Sequence, residues 1–379
     1  MSTPGICILS TAHLCFDVRM FQAEARTLAR AGFAVTLIAL EDPTPSQTEG
    51  IRILPLPRPR HRLQRMWRTL RVLRLARHQP AELYAFHDPE LLPAALLLKL
   101  LTGRKLVYDV HEDVPASIRN RAWLPRPLRP LVASLYQWTE ALALPFIDGL
   151  TLADHAYQKY YQGRNVLTVL NYPLVTYADL YEERRPGNRP TLVYAGSITA
   201  LRGLYEMIEL AHRLRPDFPD LLLRLVGPVG SAAEKARAEE LIARYGLGNN
   251  VEFTGLVSHL EVHRHILDAD VGLALLHPDP NYLNSLPTKM FEYMMMGRPV
   301  VVSNFHMWAG IVEEAGCGFA PDPLDPDMVE QHLRQLLGDE QLRREMGQRG
   351  RAAVLDRYSW EKEGEKLAAF YRALLRGDS

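Results

Sequence analysis

The sequence predicts an α/β protein made of two doubly wound domains, each a parallel sheet covered by helices on both faces. Three observations carry this. Apolar runs of strand length alternate with longer amphipathic stretches from the start of the chain. The alternation is interrupted once, by Asn171-Tyr172-Pro173 and a polar stretch over 182–190 with Pro186, Gly187 and Pro190, and then restarts. The length, 379 residues, exceeds what one hydrophobic core usually serves.

Residues 6–10, 34–39, 82–86, 105–109 and 166–170 are short, apolar and bounded by polar or Gly/Pro residues, which predicts buried strands. Between them, 20–31 closes at Gly32 and 90–101 closes at Gly103, and both carry helical spacing. After the interruption, 191–195, 221–226, 251–254, 271–276 and 299–302 are the strands. Helices start near Leu204, Ala232, Glu261, Thr288 and Pro326. The domains are therefore expected over 1–173 and 174–359, with the final helix, about 360–379, packing back on the first. Ligands of open α/β sheets bind beyond the carboxyl ends of the strands, so the expected site is a cleft where the two domains face each other.

Lys plus Arg and Asp plus Glu number 44 each, so the formal net charge is zero. With 47% hydrophobic and 23% charged residues, the composition is that of a globular protein, not of a disordered tail or a general nucleic-acid coat. The zero is a sum of opposites. Residues 1–173 hold 21 basic and 14 acidic residues, a balance of +7, and 174–379 hold 23 and 30, a balance of −7. Cys7, Cys15 and Cys317 form no disulfide framework and lack metal-ligand spacing, which fits a reducing compartment. No run of about 18 uncharged apolar residues is present and the start lacks a basic leader, so the protein is expected to be cytoplasmic and not membrane-spanning.

The most specific stretch runs from Asn284 and Ser285 through Leu286-Pro287-Thr288-Lys289-Met290-Phe291-Glu292-Tyr293 to Gly297-Arg298-Pro299-Val300. Pro287 and Thr288 predict a helix start, and Gly297 with Pro299 a stop. A helix N-terminus there offers free N–H groups and a positive dipole to an anion, with Lys289 adding charge. Glu292, one turn on, faces the same ligand and accepts hydrogen bonds from sugar hydroxyls. The plain alternative is an amphipathic helix with a solvated Lys and Glu.

These residues resemble the retaining glycosyltransferases of family 4, whose two-domain Rossmann-like fold is called GT-B. The bacterial surface-polysaccharide subgroup carries a Leu-Pro-x-Lys-x-Phe-Glu-Tyr variant of the family motif. The resemblance assigns Glu292 to the ribose of a nucleoside-diphosphate sugar. It also places the family's first motif Glu at Asn284, a departure, because an amide is neither a nucleophile nor a general base. In 193–204, Gly196 ends a strand and lets backbone approach a ligand, and Arg202 suits a diphosphate. Ser197 stands where the family has an Arg, so Arg202 and Lys289 are the expected diphosphate pair. Gly227 and Val257, after two further strands, match the turn and the nucleobase segment. The resemblance thus implies a donor site of Gly196, Ser197, Gly227, Val257, Ser285, Leu286, Pro287, Thr288 and Glu292, with Asn284 at the reacting centre.

In the first domain, His111 lies just past a strand end, where the family places a His beside the donor sugar; a solvated loop His is the alternative. His87 follows another strand, with Asp88 as an expected N-cap of the next helix. His13, Asp17 and Arg19, in the first loop, are acceptor candidates together with His87, or else a salt-bridged structural loop. Between 50 and 81 lie nine Arg and no carboxylate, with one at every third position from Arg62 to Arg77. A three-residue step lags the helical repeat, so the cations spiral around the helix. They suit either a solvated helix or an anionic membrane, with Trp67 at the interface and with Arg119, Arg121, Trp123, Arg126, Arg129 and Trp138 adding similar chemistry.

The expected function is transfer of a sugar from a nucleoside-diphosphate sugar, UDP-linked by the resemblance, to a saccharide or polyprenyl-diphosphate-linked acceptor in surface polysaccharide synthesis. No metal, no other cofactor and no nucleic acid are expected, and the inner face of the membrane is the expected docking place. Two rivals share the fold: a nucleotide-sugar 2-epimerase, and a non-catalytic sugar-nucleotide-binding subunit suggested by Asn284 and Ser197.

Overall fold

The computed structural model describes residues 3–42, 48–58, 64–120, 124–176 and 189–377, without the side chains of 64–67 and of 120. Arg60, Arg62, Arg121, Trp123, Pro186 and Gly187, and the side chains of Arg65 and Trp67, therefore lie outside the described residues. The chain forms two compact units, Met1–Asn171 with Trp360–Ser379, and Tyr172–Ser359.

The first unit runs β1 (Gly5–Leu14), a π-helical segment Val18–Ala25 continuing into α1 (Arg26–Arg30), β2 (Ala34–Leu40), β3 (Arg52–Leu56), α2 (Gln64–Ala76) and β4 (Leu83–Phe86). It continues with α3 (Leu92–Thr102), β5 (Lys105–Val110), α4 (Val114–Asn120), α5 (Leu128–Ala143), β6 (Gly149–Leu152) and β7 (Val166–Thr168). The seven strands are parallel in the order β3-β2-β1-β4-β5-β6-β7. Central strands β4 and β5 are buried almost throughout, which is why they read as continuous apolar runs. Two strands escape that signal. β3 is the edge strand and tolerates Arg52 and Pro55, and β6 is only Gly149-Leu150-Thr151-Leu152.

The second unit runs β8 (Thr191–Ala195), α6 (Leu204–Leu214), β9 (Leu222–Val226), α7 (Ala232–Tyr245), β10 (Val251–Gly255), α8 (His259–Leu267), β11 (Val271–Ala274), α9 (Pro280–Leu283) and α10 (Thr288–Met295). β12 (Val300–Val302), α11 (His306–Ala315), β13 (Gly318–Phe319), α12 (Pro326–Gly338) and α13 (Glu340–Asp356) complete it. Its six parallel strands lie in the order β10-β9-β8-β11-β12-β13. α8 starts two residues before the expected Glu261, because Ser258 and Glu261 form a capping box. The last helix, α14 (Trp360–Arg376), packs on α1 of the first unit, where Trp360 Nε1 donates to Thr27 Oγ1 at 2.9 Å and Glu363 accepts from the Leu170 N–H at 3.1 Å. All three cysteines are buried free thiols. Among the described residues no helix is long and apolar enough to cross a membrane.

In both sheets the strand order reverses direction once, between β1 and β4 and between β8 and β11. The carboxyl ends of those strand pairs are the places where such sheets bind ligands.

Candidate active site

At the β8 end of the second unit three glycines let the backbone turn sharply. Gly196, Gly227 and Gly255 follow β8, β9 and close β10, with φ of 123°, 136° and 71°. A Cβ on Gly227 would stand 2.1 Å from the Gly196 carbonyl oxygen, so no other residue fits there. Two cations converge on Gly196. A Cβ built on it would meet Lys289 Nζ at 3.4 Å and Arg202 Nη1 at 3.7 Å. Lys289 is buried, donates from Nζ to Tyr194 Oη at 3.2 Å, and sits 4.6 Å over the Tyr194 ring. Arg202 donates from Nε to Tyr282 Oη at 3.3 Å and lies over that ring. No carboxylate pairs directly with either cation among these contacts. Burial, and then the neighbouring Arg202, push the Lys289 ammonium down to about 7.

The same place receives the N-terminus of α10. Pro287 is its N-cap residue and supplies no side-chain cap, so the first N–H groups remain available. Tyr293 fixes α10 to the sheet by accepting from the Ala195 N–H at 2.8 Å and donating to the Leu273 carbonyl at 3.1 Å. The approach loop is fixed too. Trp308 Nε1 donates to the Ser285 carbonyl at 2.6 Å, and Ser285 Oγ donates to the Asn281 carbonyl at 2.8 Å. Asn284 is exposed at the end of α9, Leu286 is half-buried, and Val257 is half-buried beside the largely exposed Leu256. Ser197 contributes its carbonyl, which accepts from Arg202 Nη1 at 3.4 Å and from Tyr194 Oη at 2.9 Å. Glu292 pairs with His259 Nε2 at 3.3 Å, and this bond holds it below its usual range against the upward push of burial. His263, one turn further along α8, is pushed down to about 4 by burial and is neutral at pH 7.

The first unit gathers a second cluster at the ends of β1, β4 and β5. Asp109 is buried on β5 and accepts from His111 Nε2 at 2.7 Å and Thr151 Oγ1 at 2.7 Å, while His87 Nδ1 lies 3.0 Å away. Arg19 clamps it bidentately, at 3.2 and 3.1 Å, and reaches Glu24 at 3.1 Å. The π-helical winding makes this possible: it puts residues five apart on one side, whereas an α-helix would turn Glu24 away from Arg19. Burial pushes Asp109 up, but Arg19 and the two imidazoles outweigh it and hold it well below the usual carboxylate range. Burial lowers His111, against the pull of Asp109, so His111 stays neutral at pH 7. His87 goes the other way: burial lowers it, yet Glu24 and Asp109 outweigh that and raise it to about 9.

The acceptor candidates separate accordingly. His13 pairs with Asp17 at 3.3 Å and lines a cavity of about 700 Å³ together with Asp88, His111 and the apolar Ile118, Val132 and Leu135. Asp17 also caps the π-helical segment through the Met20 N–H, and His13 holds it down at about 2 against burial. Arg19 and His87 turn inward. Their side chains are 11% and 1% exposed, and Arg19 directs its donors to Asp109, Glu24, Val169 and Asn171 as a support behind His111, while His87 also lines the cavity beside His13 and His111. Asp88 corrects another expectation. It stands at the cap position but makes no cap bond; its carboxylate accepts from Ser10 Oγ at 2.7 Å and the Thr11 N–H at 2.6 Å, which fixes the end of β1. Arg68 likewise leaves the exposed spiral of cations, being buried with Nη1 donating to the Thr11 carbonyl at 2.9 Å.

Sequence reasoning missed Tyr194, Tyr282, His259 and Trp308, which position the cations, Glu292 and the loop. Only Trp308 had a local signal, as a lone Trp beside the most specific motif. Two groups of the described residues bring three metal-capable atoms within 4.8 Å of one another: His87, Asp109 and His111, and His259, His263 and Glu292. In the first group the ring nitrogens and the carboxylate meet one another within hydrogen-bond distance; in the second His259 Nε2 meets Glu292, and His263 Nδ1 donates to the His259 backbone carbonyl at 2.9 Å.

Known proteins resemble this one in sequence and in fold. Residues 18–169 match the family described as Glycosyl transferase 4-like domain, and residues 179–353 match Glycosyl transferases group 1. The alpha-D-kanosaminyltransferase of Streptomyces kanamyceticus is 26% identical over 52% of this chain and 49% of its own. The MMP alpha-(1->4)-mannosyltransferase of Mycolicibacterium hassiacum is 23% identical over 80% of this chain and 74% of its own. The match spans less than half the length of the kanosaminyltransferase and of a D-inositol 3-phosphate glycosyltransferase of Corynebacterium urealyticum. In fold, the sucrose-phosphate synthase of Thermosynechococcus elongatus superposes with a TM-score of 0.75 at 18% identity, covering 99% of this chain and 100% of that one. Anabaena HepE, solved with UDP and glucose, superposes at 0.71 with 15% identity, covering 98% and 100%. With both halves matched in order and both sheets doubly wound, the chain belongs to the glycosyltransferases of the family 4 type, with the GT-B fold.

Proposed function

We propose that this protein transfers a sugar, with retention, from a nucleoside-diphosphate sugar to a saccharide on a lipid diphosphate carrier, in the assembly of a surface polysaccharide. The observation that carries the reading is the convergence of Arg202, Lys289 and the uncapped start of α10 on Gly196. As the glycosidic bond breaks, negative charge grows on the leaving diphosphate, and preorganised donors at that place stabilise it. The two side chains and the helix amides then do this without a metal ion. Glu292, held ionised by His259, accepts the ribose hydroxyls. UDP is the favoured nucleotide, because the HepE structure holds it on the same fold. Asn284 supplies no nucleophile, so attack comes from the leaving-group face, and the departing phosphate oxygen takes the acceptor's proton. Neutral His111, whose Nε2–H is given to Asp109, accepts a hydrogen bond at Nδ1 from a hydroxyl of the transferred sugar. The cavity that His13 lines takes the acceptor, with Asp17 holding the His13 ring. Exposed cations of the first unit, such as Arg71 and Arg74, support docking at the inner membrane face as part of this reading.

The test is turnover of UDP-sugars in the presence of a lipid-linked acceptor. Arg202→Ala and Lys289→Ala are expected to lower the rate by about 10²–10³-fold each. Donor binding with no turnover in the wild type would instead favour the sugar-nucleotide-binding subunit that Asn284 suggests. Conversion of donor alone to an epimer would show the 2-epimerase.

A further inference from the structure

The first unit carries an apolar ridge that its own core does not use. On α5, Leu128, Leu131, Leu135, Trp138 and Leu142 recur at steps of three and four, which lines them on one helix face, and Phe146 extends the line. All are exposed, Trp138 to 73% and Leu135 to 66%. The charged residues of α5 turn elsewhere: Arg129 donates to the Leu124 and Arg119 carbonyls, and Glu140 accepts from Tyr136 and Tyr161. The neighbouring helix α3 shows the same division. Leu97, Leu100 and Leu101 face outward, and its one cation, Lys99, bonds to Asp148. α3 also packs against α2, whose Arg71 and Arg74 are exposed, as is Arg77 just past its end. One helical layer therefore presents an uncharged apolar strip with a row of cations along its margin.

We propose that this α3–α5 face inserts into an anionic lipid bilayer. Leu, Trp and Phe enter the acyl boundary, and the α2 arginines meet the phosphate headgroups. Two observations select a bilayer over a protein partner. The cations lie beside the apolar strip, as an anionic interface requires. Leu135 belongs both to the ridge and to the wall of the cavity lined by His13, Asp88 and His111. A bilayer on the ridge brings the cavity mouth to the lipid surface, where a chain-bearing acceptor lies along α5 with its polar end toward the histidines. That last step rests on the proposed transferase activity; the membrane contact does not.

The experiment uses the full chain with vesicles of phosphatidylglycerol and phosphatidylcholine. The wild type floats with them, and the double variant Leu131→Glu, Trp138→Glu loses vesicle binding at least tenfold. Both positions are exposed, so its unfolding midpoint and its stabilisation by UDP stay unchanged. Brominated lipids quench the wild-type fluorescence, and Trp138→Phe loses most of that quenching. Unaltered vesicle binding by the double variant, or quenching indifferent to Trp138→Phe, overturns the proposal. A wild type that ignores vesicles and forms a dimer broken by Leu131→Glu also overturns it, in favour of a second copy on the ridge. Vesicle binding with no UDP stabilisation would leave the membrane face standing and sink the transferase reading.

Discussion

Lys289 shows how one residue's surroundings set its chemistry. An exposed lysine keeps its proton to about pH 10.5, but this one, buried beside Arg202, gives it up near 7. Between those values the unfolded chain holds a proton that the native one does not, so this group's contribution makes the protein more stable as pH rises from 7 to 10.5. Below 7 the buried ammonium costs in full. A bound diphosphate reverses the balance by favouring the cation. UDP binding at pH 8 is therefore expected to take up close to one proton, seen as a dependence of calorimetric heat on buffer ionisation enthalpy, and Lys289→Met should abolish it. The same variant should raise the unfolding midpoint of the ligand-free protein at pH 6 by roughly 2–4 °C, the shift that ~1 kcal/mol produces in a domain of this size. Tyr194 is not orphaned by the change, since its hydroxyl still donates to the Ser197 carbonyl. A lowered midpoint would mean that the ammonium stabilises the fold.

At the scale of elements, the α9–α10 loop is the part whose placement the motif alone does not explain. In Asn284 to Pro287 Leu286 packs against the core, and the indole of Trp308, from α11, holds the loop through the Ser285 carbonyl. Trp308→Phe removes that hydrogen bond and, because the indole is fully buried, also part of its packing. The expected outcome is a stability loss of about 2–3 kcal/mol with a several-fold weaker affinity for UDP, measured by calorimetry. Unchanged affinity would show that the loop's position is set elsewhere. The elements that escape a reading of the sequence have comparable causes. β3 carries Arg52 and Pro55 because an edge strand has a free side, and β6 is too short to show a period. The first helix was legible from residue 20 on, but its π winding was not, because it depends on the pull of Asp109 on Arg19 from ninety residues away.

For the whole molecule, each unit has a core of its own: one buried cluster lies within Tyr172–Ser359 and another within Met1–Asn171. Urea unfolding is expected in two steps, of which UDP shifts only that of the second unit. Trp308 is the sole tryptophan of that unit, so the fluorescence lost on Trp308→Phe reports its step directly. A single transition, moved as a whole by UDP, would show that the two units unfold together. The opposite balances of the two halves, +7 and −7, acquire a location at this scale. Exposed arginines of α2 border the apolar ridge, while in the acidic half Arg202 and Lys289 are turned inward to one glycine.

The sequence by itself determined the two doubly wound sheets, the glycine turns and the stretch from Asn284 to Val300, because these rest on local period, backbone freedom and short motifs. Which candidate side chains are tied into the fold emerges only from the tertiary contacts. Arg19, His87 and Arg68 are basic residues in the sequence just as Arg202 is, yet the fold surrounds the first three with carboxylates and carbonyls and leaves Arg202 against a tyrosine and a turn. Which partner a charge meets depends on residues far along the chain, and no short motif contains that information.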